Sequence, residues 1–380
     1  MPFVTTLIFF LSGLLLRAEP VELRVGARFD VGGRTAEIRE FTSLPFIQNE
    51  YAKRFVFDSA DNPKLKELRK IYQLDKVIAS GSSEFEQQVL LNDWVHRQFK
   101  KFGHPSDGAR GALQVLNGIK EGQAYFCAQY AELLVSTAAS LGWNDRLLAL
   151  RRHQGVNARG GSTEHSTTEI WSSQYRKWVM LDPTSNMYLE KAGVPLNAWE
   201  IREEWFYHGG TNLTFVIGRD QMKYRQSDLP ILLDHFADFG DLTVDPDELD
   251  KYGFIGYIPN TNLMDAGNDY GQMFIVKDKL CEGTQWHQRI LPKHPETDPY
   301  FPINQAAMEL SVENGQLHAA FQTFTPNFKT FEAKFGGGEW QPVGAVITWK
   351  LKAGSNRLAV RASNQFGIKG ASSILEIHQE

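Results

Sequence analysis

The most regular hydrophobic pattern in the chain follows Cys127. Apolar residues recur after it at spacings of three and four, which places them on one face of a helix. They are Ala131, Leu134, Val135, Ala138 and Leu141. Gly142 comes next, at the position where helix C-termini favour glycine. The pattern therefore predicts a helix from Cys127 to Leu141, with Cys127 in its first turn and on its buried side.

Two short segments downstream, 165–171 and 177–182, have the character of β-strands. A polar turn, Ser172-Ser173-Gln174, separates them. With the turn centred between Ser173 and Gln174, His165 would lie directly opposite Asp182, with Cβ atoms about 5 Å apart. A slip of one residue would turn one of the two side chains to the other face of the sheet.

The segment before this helix is predicted to be strands followed by helices. Residues 21–57 alternate apolar and polar side chains in short bursts, as strands do. Asn62-Pro63 then opens one helix. A stronger helix begins near Ser83, whose hydroxyl caps it while Glu86 closes a capping box. Its apolar stripe runs through Leu91, Val95, Phe99 and Phe102.

The C-terminal part of the chain changes character twice. A helix near 198–207 and a strand at 213–217 are followed by residues 237–300, where Asp, Gly, Pro and Tyr predominate and a connector with short strands is expected. Residues 301–380 form short alternating runs with Gly and Asn turns, which predicts a β-sandwich. The pattern at Leu351–Asn364 resembles immunoglobulin-like or fibronectin type III modules.

Size and charge limit the classes of function. The chain has 380 residues, of which 42% are hydrophobic, so it can bury a large core in two or three domains. Its net charge of −5 gives no electrostatic basis for binding nucleic acid or an anionic membrane. No nucleic-acid partner is therefore expected.

The N-terminal end has the features of a leader. The apolar run from Val4 to Leu16 is shorter than the roughly 20 residues that span a membrane, and a cleavage-like Leu16-Arg17-Ala18 follows it. We expect residues 1–18 to be a signal peptide, the mature chain to begin near Glu19 without a stable membrane span, and the protein to be secreted or periplasmic. A buried N-terminal strand or an uncleaved anchor are the alternatives.

Cys127, His165 and Asp182 together carry the candidate chemistry. We interpret them as a thiol nucleophile, its base, and the acid that orients the base. At a helix N-terminus, unpaired N–H groups and the helix dipole favour thiolate over thiol. The backbone N–H of Cys127 is a candidate oxyanion donor. Gln123 is a second candidate donor, or else a polar loop residue.

These residues lie in blocks that resemble the transglutaminase-like superfamily. The blocks are Tyr125–Leu133 with Gly142, His165, Glu169–Trp171 and Trp178–Pro183, within residues 85–190. The resemblance implies a Cys–His–Asp triad in this chain order on a papain-like α+β scaffold, with the nucleophile helix packed on an antiparallel sheet. It favours Asp182 over Glu169, which shares a face with His165, as the orienting acid.

The same resemblance implies domains and an activity. The catalytic domain would span 19–236, before the connector 237–300 and the sandwich 301–380. The activity would be acyl transfer through a Cys thioester on peptide or glutamine amides. Water as the acceptor makes a protease or amidase, and an amine makes a transglutaminase. A peptide N-glycanase-like amidase and a non-catalytic binding or assembly protein that retains the fold are the alternatives.

The remaining candidates are of less consequence. His153 and Trp171 would line the cleft. The alternatives are that His153 is an exposed loop residue and that Trp171 is a core residue. Cys127 and Cys281 are expected to stay thiols in the active form, although a structural disulfide between them is the alternative. No metal or cofactor motif is present, so none is expected. The expected partners are a protein or peptide substrate and, through the sandwich, a cell-surface glycan or protein.

Overall fold

Helices and antiparallel sheets both occur in the computed structural model, which describes residues 18–105, 111–151, 164–228, 248–259, 261, 263–266, 273–276, 290–291 and 298–380. Within these residues the helices are α1 (Pro63–Ile71), α2 (Leu74–Ile78), α3 (Glu84–Gln98), α4 (Gly111–Lys120), α5 (Cys127–Leu141), α6 (Ala198–His208) and α7 (Leu263–Ala266). The fold is α+β, as the sequence predicts.

The strands of the same residues fall into four sheets. They are β1 (Glu19–Val21), β2 (Arg28–Val31), β3 (Arg34–Thr42), β4 (Asp145–Arg151), β5 (Glu164–Ser172), β6 (Lys177–Leu181), β7 (Met187–Lys191), β8 (Val194–Pro195), β9 (Thr214–Ile217), β10 (Met222–Arg225), β11 (Phe254–Ile258), β12 (Phe274–Val276), β13 (Ile290–Leu291), β14 (Ala307–Glu313), β15 (Gln316–Gln322), β16 (Phe328–Phe335), β17 (Gln341–Val343), β18 (Val346–Trp349), β19 (Gly354–Asn364) and β20 (Ser373–Gln379).

The helix ends follow from their capping residues. Asn62 accepts a hydrogen bond from the N–H of Lys64 at the start of α1, and Ser83 accepts one from the N–H of Glu86 at the start of α3. The Glu86 carboxylate, expected to complete a box with Ser83, instead accepts from both the N–H and the hydroxyl of Ser82, at 2.7 and 2.6 Å. Gly142 ends α5 in the left-handed conformation, as predicted.

A mixed central sheet, in the order β13-β12-β11-β4-β5-β6, positions the site. Helix α5 covers one face, where Leu134 packs with Ile170 and Val179. The opposite face carries Trp171 and Trp178 and packs against α6 and the smaller sheet β10-β9-β7-β8. Strands β11 to β13 belong to the predicted connector and extend the central sheet beyond β4.

The predicted register of the β5–β6 pair is wrong by two residues. Trp171 lies opposite Trp178, and Thr168 lies opposite Leu181. The turn spans 173–176 and includes Arg176 at a positive φ of 54°, so β5 continues through Ser172. A two-residue shift keeps every side chain on its face. It places Asp182 just beyond the end of β6 rather than directly across from His165.

The C-terminal strands form a two-sheet sandwich. Sheet β1-β14-β15-β18 faces sheet β17-β16-β19-β20-β3-β2, and both contribute to one core, with Ile38, Leu317, Phe331, Trp349 and Ile377. Strands β1 to β3 belong here, so their assignment to the predicted catalytic domain from residue 19 is wrong. Alternation predicted these strands but not their partners. Strand β3 covers the edge of β20, which would otherwise expose unpaired N–H and C=O groups.

The sandwich contacts the central sheet and α5 through specific polar bonds. The amide of Asn364 donates to the carbonyl of Gly142 at 2.9 Å, and Arg176 donates to the carbonyl of Ser372 at 2.7 Å. The side chain of Phe366 closes over Gly142. Among the helices that the structure describes, none has the length and apolar character needed to cross a membrane.

Candidate active site

Cys127 is the first residue of α5, as its spacing predicts. The side chain of Gln129, two residues on, accepts a hydrogen bond from the N–H of Phe126 at 3.2 Å and so fixes the entry into the helix. The thiol is free and partly exposed, and it accepts a hydrogen bond from the N–H of Ser166 at 3.4 Å. The first N–H groups of the helix have no partner inside it and lie at the same end as the sulfur.

His165 lies near the start of β5, beside the sulfur. Its Nε2 lies 2.6 Å from Oδ2 of Asp182, and both residues are almost fully buried. The imidazole also bonds to the side chain of Cys127, which leaves Nδ1 for the thiol. The structure therefore brings the three residues predicted as nucleophile, base and acid into one chain of contacts.

The electrostatics of the three groups favour their charged forms. Burial by itself would raise the pKa of the Cys127 thiol, but the hydrogen bond and charge of His165 bring that pKa below its usual value. Burial by itself would lower the pKa of His165, but the charge of Asp182 outweighs it and raises the pKa to about 10. Burial likewise opposes ionisation of Asp182, yet His165 holds the pKa of that carboxyl below its usual value. A thiolate–imidazolium pair is the favoured state.

The turn that carries Asp182 is fixed by its own backbone. Oδ1 of Asp182 accepts hydrogen bonds from the N–H groups of Thr184 and Ser185, at 2.9 and 3.2 Å. Backbone bonds between Asp182 and Met187 close the turn in both directions. The carboxylate is therefore aimed by the shape of residues 182–187 and not only by its contact with His165.

Helix α3 holds this turn with three polar side chains. The amide of Asn92 donates to the carbonyl of Asp182 at 3.4 Å, and Nδ1 of His96 donates to the carbonyl of Pro183 at 3.1 Å. Asp93 accepts from the amide of Asn186 at 2.8 Å. The sequence did not predict these roles. The available signal was polar residues at helical spacing on a face that otherwise carries the core residues Val89 and Val95.

Glu169, the alternative orienting acid, is bound elsewhere. Its Oε2 accepts from Nε and Nη2 of Arg146, at 2.8 and 2.6 Å. Its Oε1 accepts from the N–H of Ala198 at 2.7 Å and from the hydroxyl of Tyr300 at 3.0 Å. The imidazole partner is Asp182.

The other predicted site residues differ in outcome. Trp171 is 3% exposed and packs its ring against that of Trp178, so it is a core residue and the prediction that it lines the cleft is wrong. The face of β5 that carries Trp171 packs against α6 and the sheet β10-β9-β7-β8. Gln123 lies in the loop between α4 and α5, where its N–H bonds to the carbonyl of Gly118; its oxyanion role stays a prediction. His153 and Cys281 lie outside the described residues.

Tyr130 is a further residue of the site that the sequence did not single out. It lies one turn after Cys127, is fully buried, and stacks on Phe99 with ring centroids 3.6 Å apart. Burial and the nearby charge of Cys127 raise the pKa of its hydroxyl, which therefore stays protonated. No group of three His, Cys, Asp or Glu side chains is placed to hold a metal ion in the described part of the chain.

No family model and no curated protein matches this chain. It is similar to a solved structure from Cytophaga hutchinsonii, of a protein assigned as a cysteine protease, with 12% identity over 39% of this chain and 49% of that chain and a TM-score of 0.27. It is also similar to red sea bream transglutaminase, with 11% identity over 95% of this chain and 76% of that chain and a TM-score of 0.26. The chain thus matches about half the length of the first protein. Similarity at this level establishes no family, so function has to be inferred from the site.

Proposed function

We propose that this protein is a thiol acyl-transfer enzyme acting on peptide or glutamine amides. The observation that carries the proposal is the contact chain from Cys127, at a helix N-terminus, through His165 to the buried Asp182. Packing alone does not require a thiol, an imidazole and a carboxylate in this order, and their pKa shifts favour the charged forms that nucleophilic catalysis uses.

The proposed reaction proceeds in two halves. The Cys127 thiolate attacks the amide carbonyl carbon, and the resulting oxyanion lies near the N–H of Cys127, with Gln123 as a second proposed donor. His165 gives its proton to the departing amine, and a thioester remains. His165 then takes a proton from the acceptor that attacks the thioester carbonyl, and the C–S bond breaks to release the acyl product and restore the Cys127 thiolate. Asp182 holds the imidazole orientation throughout and stabilises its positive form.

The acceptor decides the type of enzyme. Water gives a protease or amidase, and an amine gives a transglutaminase. Release of a sugar-linked amide, as in a peptide N-glycanase-like amidase, is a third outcome of the same chemistry. The site geometry is common to all three, so the proposal is made at the level of acyl transfer.

The architecture supports a transglutaminase-like enzyme with an accessory module. A nucleophile helix packed on antiparallel strands β4 to β6 is the arrangement expected of a papain-like core. Strands β14, β15 and β18 facing β17, β16, β19 and β20 have the order of an immunoglobulin-like sandwich. We further propose that the protein is exported, on the apolar run from Val4 to Leu16, and that the sandwich binds a cell-surface glycan or protein.

The test is selective alkylation of the thiol. Iodoacetamide is added near neutral pH to the Cys281→Ser protein, alone and combined with His165→Ala, and adducts at Cys127 are counted by peptide mapping. We expect fast labelling that depends on His165. Equally slow labelling of both proteins would contradict an activated thiolate and support the non-catalytic binding protein.

A second experiment identifies the acceptor. Glutamine-containing peptides and an N-glycosylated peptide are incubated with the protein, with and without a primary amine. Cleavage or deamidation without the amine indicates a hydrolase, amine incorporation indicates a transglutaminase, and glycan release indicates a glycanase. Cys127→Ser is the matched control and should be inactive in every arm.

A further inference from the structure

A groove of about 560 Å³ lies on the side of α3 near the turn that carries Asp182. Three elements form it: the end of α2, one face of α3, and the turn between β9 and β10. Among the described residues its lining includes Lys76, Arg97 and Arg219, one cation from each element. The volume is in the range of small-molecule sites.

The charge of the groove is positive. Among the described residues, the acid in its lining is Asp93, whose Oδ2 pairs with Nε of Arg97 at 2.8 Å and whose Oδ1 accepts from Asn186. Leu90 and Trp94 supply apolar surface to the lining. A cleft with one sign of charge and low-dielectric walls focuses its field on a ligand of opposite sign. Arg side chains bind carboxylate and phosphate groups with two parallel bonds.

Asn186 links the groove to the site. Two of the elements that form the groove, α3 and the β9–β10 turn, both bond to it. On the α3 side its amide donates to Asp93 at 2.8 Å. On the β9–β10 side its carbonyl accepts from the N–H of Gly218, the neighbour of Arg219, at 2.8 Å. Asn186 itself has a positive φ of 49°, a backbone conformation that needs such support. It ends the turn whose N–H groups aim the Asp182 carboxylate.

We propose that this groove binds a small polyanion, with carboxylate or phosphate groups, and that binding activates Cys127. A polyanion bound to both Arg97 and Arg219 would link α3 to the β9–β10 turn, the two elements that hold Asn186. The turn 182–186 then keeps the carboxylate of Asp182 on His165 for a larger share of the time. This regulation rests on the proposed function, whereas binding at the groove does not.

The test compares Arg219→Gln with Arg225→Gln. Arg225 is an exposed arginine of the same hairpin outside the groove, so it is the matched control. Citrate and pyrophosphate are the carboxylate and phosphate probes, added at low millimolar concentration with ionic strength held constant by NaCl. We expect either probe to raise the melting temperature of wild type and Arg225→Gln by about 2 °C, and that of Arg219→Gln by much less. Such salts also stabilise proteins non-specifically, so the difference between the variants is the measurement.

The coupling is measured on the same proteins by the rate of Cys127 alkylation. We expect the probe to raise that rate about twofold or more in wild type and Arg225→Gln and to leave Arg219→Gln unchanged. Equal thermal shifts in all three proteins, or none, would overturn the binding site. A shift without a rate change would overturn the activation. Alkylation that is independent of His165 without any probe would count against the proposed function only, since the thermal shifts still decide the groove.

Discussion

Strand β5 contributes one residue to each of two buried ion pairs, Arg146–Glu169 and His165–Asp182. The two pairs differ in what they can do. Arg146 and Glu169 are both fully buried, 2.6 Å apart, and Arg146 lies over the rings of Trp178 and Tyr300 at 4.3 and 4.9 Å. The hydrogen bonds of this pair reach β4, β5, α6 and the 298–301 segment, so the pair holds these parts of the fold together. His165 and Asp182 are equally close, but their proton can move and a thiol adjoins them.

The difference follows from chemistry and from position along the strand. Glu169 lies mid-strand, where four donors use its carboxylate fully. His165 lies near the start of the strand, where one ring nitrogen faces the half-exposed end of α5. We therefore expect the Arg146–Glu169 pair to matter for the stability of the fold and the His165–Asp182 pair to matter for the proposed chemistry. The following predictions test that contrast.

The largest effect is expected for Asp182→Asn. Asparagine keeps the Oδ1 that accepts from Thr184 and Ser185, so the turn and the fold should remain. The imidazole loses its charged partner and its correct tautomer, and turnover of a substrate from the peptide panel should fall about 10⁴-fold. Steady-state rates measure this, with circular dichroism melting as the control. Turnover near that of wild type would mean that Asp182 has only a structural role.

Glu169→Gln should lower the stability of the fold and leave alkylation of Cys127 in the folded protein intact. It leaves the Arg146 guanidinium buried without a counter-charge, which should cost about 3–5 kcal/mol of the free energy of unfolding. Urea unfolding measures the loss. Glu203→Gln, on the exposed side of α6, is the control and should change stability by less than about 0.5 kcal/mol. A folded Glu169→Gln protein with lost alkylation at Cys127 would contradict the division of roles.

The pH dependence of alkylation should show the effect of His165 on the pKa of Cys127. Alkylation needs thiolate, so its rate rises with pH through the pKa of Cys127. Because His165 lowers that pKa, wild type should already react well at pH 6. In His165→Ala the contact that lowers the pKa of Cys127 is gone and burial raises that pKa, so the rate at pH 6 should drop by more than about a hundredfold. Rates from pH 5 to 9 check this, and identical profiles for both proteins would exclude the ion pair.

The smallest effect is expected for Ser83→Ala. It removes the cap of α3 and should cost about 1 kcal/mol. Since Asn92, Asp93 and His96 lie more than two turns beyond the cap, alkylation of Cys127 should be unchanged at temperatures where the variant is folded. A parallel loss of alkylation and stability would show that the start of α3 also supports the Asp182 turn.

Local signals in the sequence predicted much of this arrangement. The apolar repeat and Gly142 placed Cys127 at the start of α5, and the family resemblance selected Asp182 over Glu169. The β5–β6 register was missed because Arg176 takes a positive φ without the Gly or Asn that usually marks such a turn. The pairing of β3 with β20 was missed because alternation predicts a strand but not a distant partner. The contacts of Asn92, Asp93 and His96 depend on a turn that only tertiary structure brings to α3.

The place of β1 to β3 has a consequence for biosynthesis. These strands leave the ribosome early, yet their partners β14 and β20 emerge only after the whole segment that carries Cys127, His165 and Asp182. That intervening segment can collapse first, while the early strands wait with open edges. Assembly of the sandwich is therefore a late, long-range event, and the edges of β1 and β3 stay unpaired until β14 and β20 have been made.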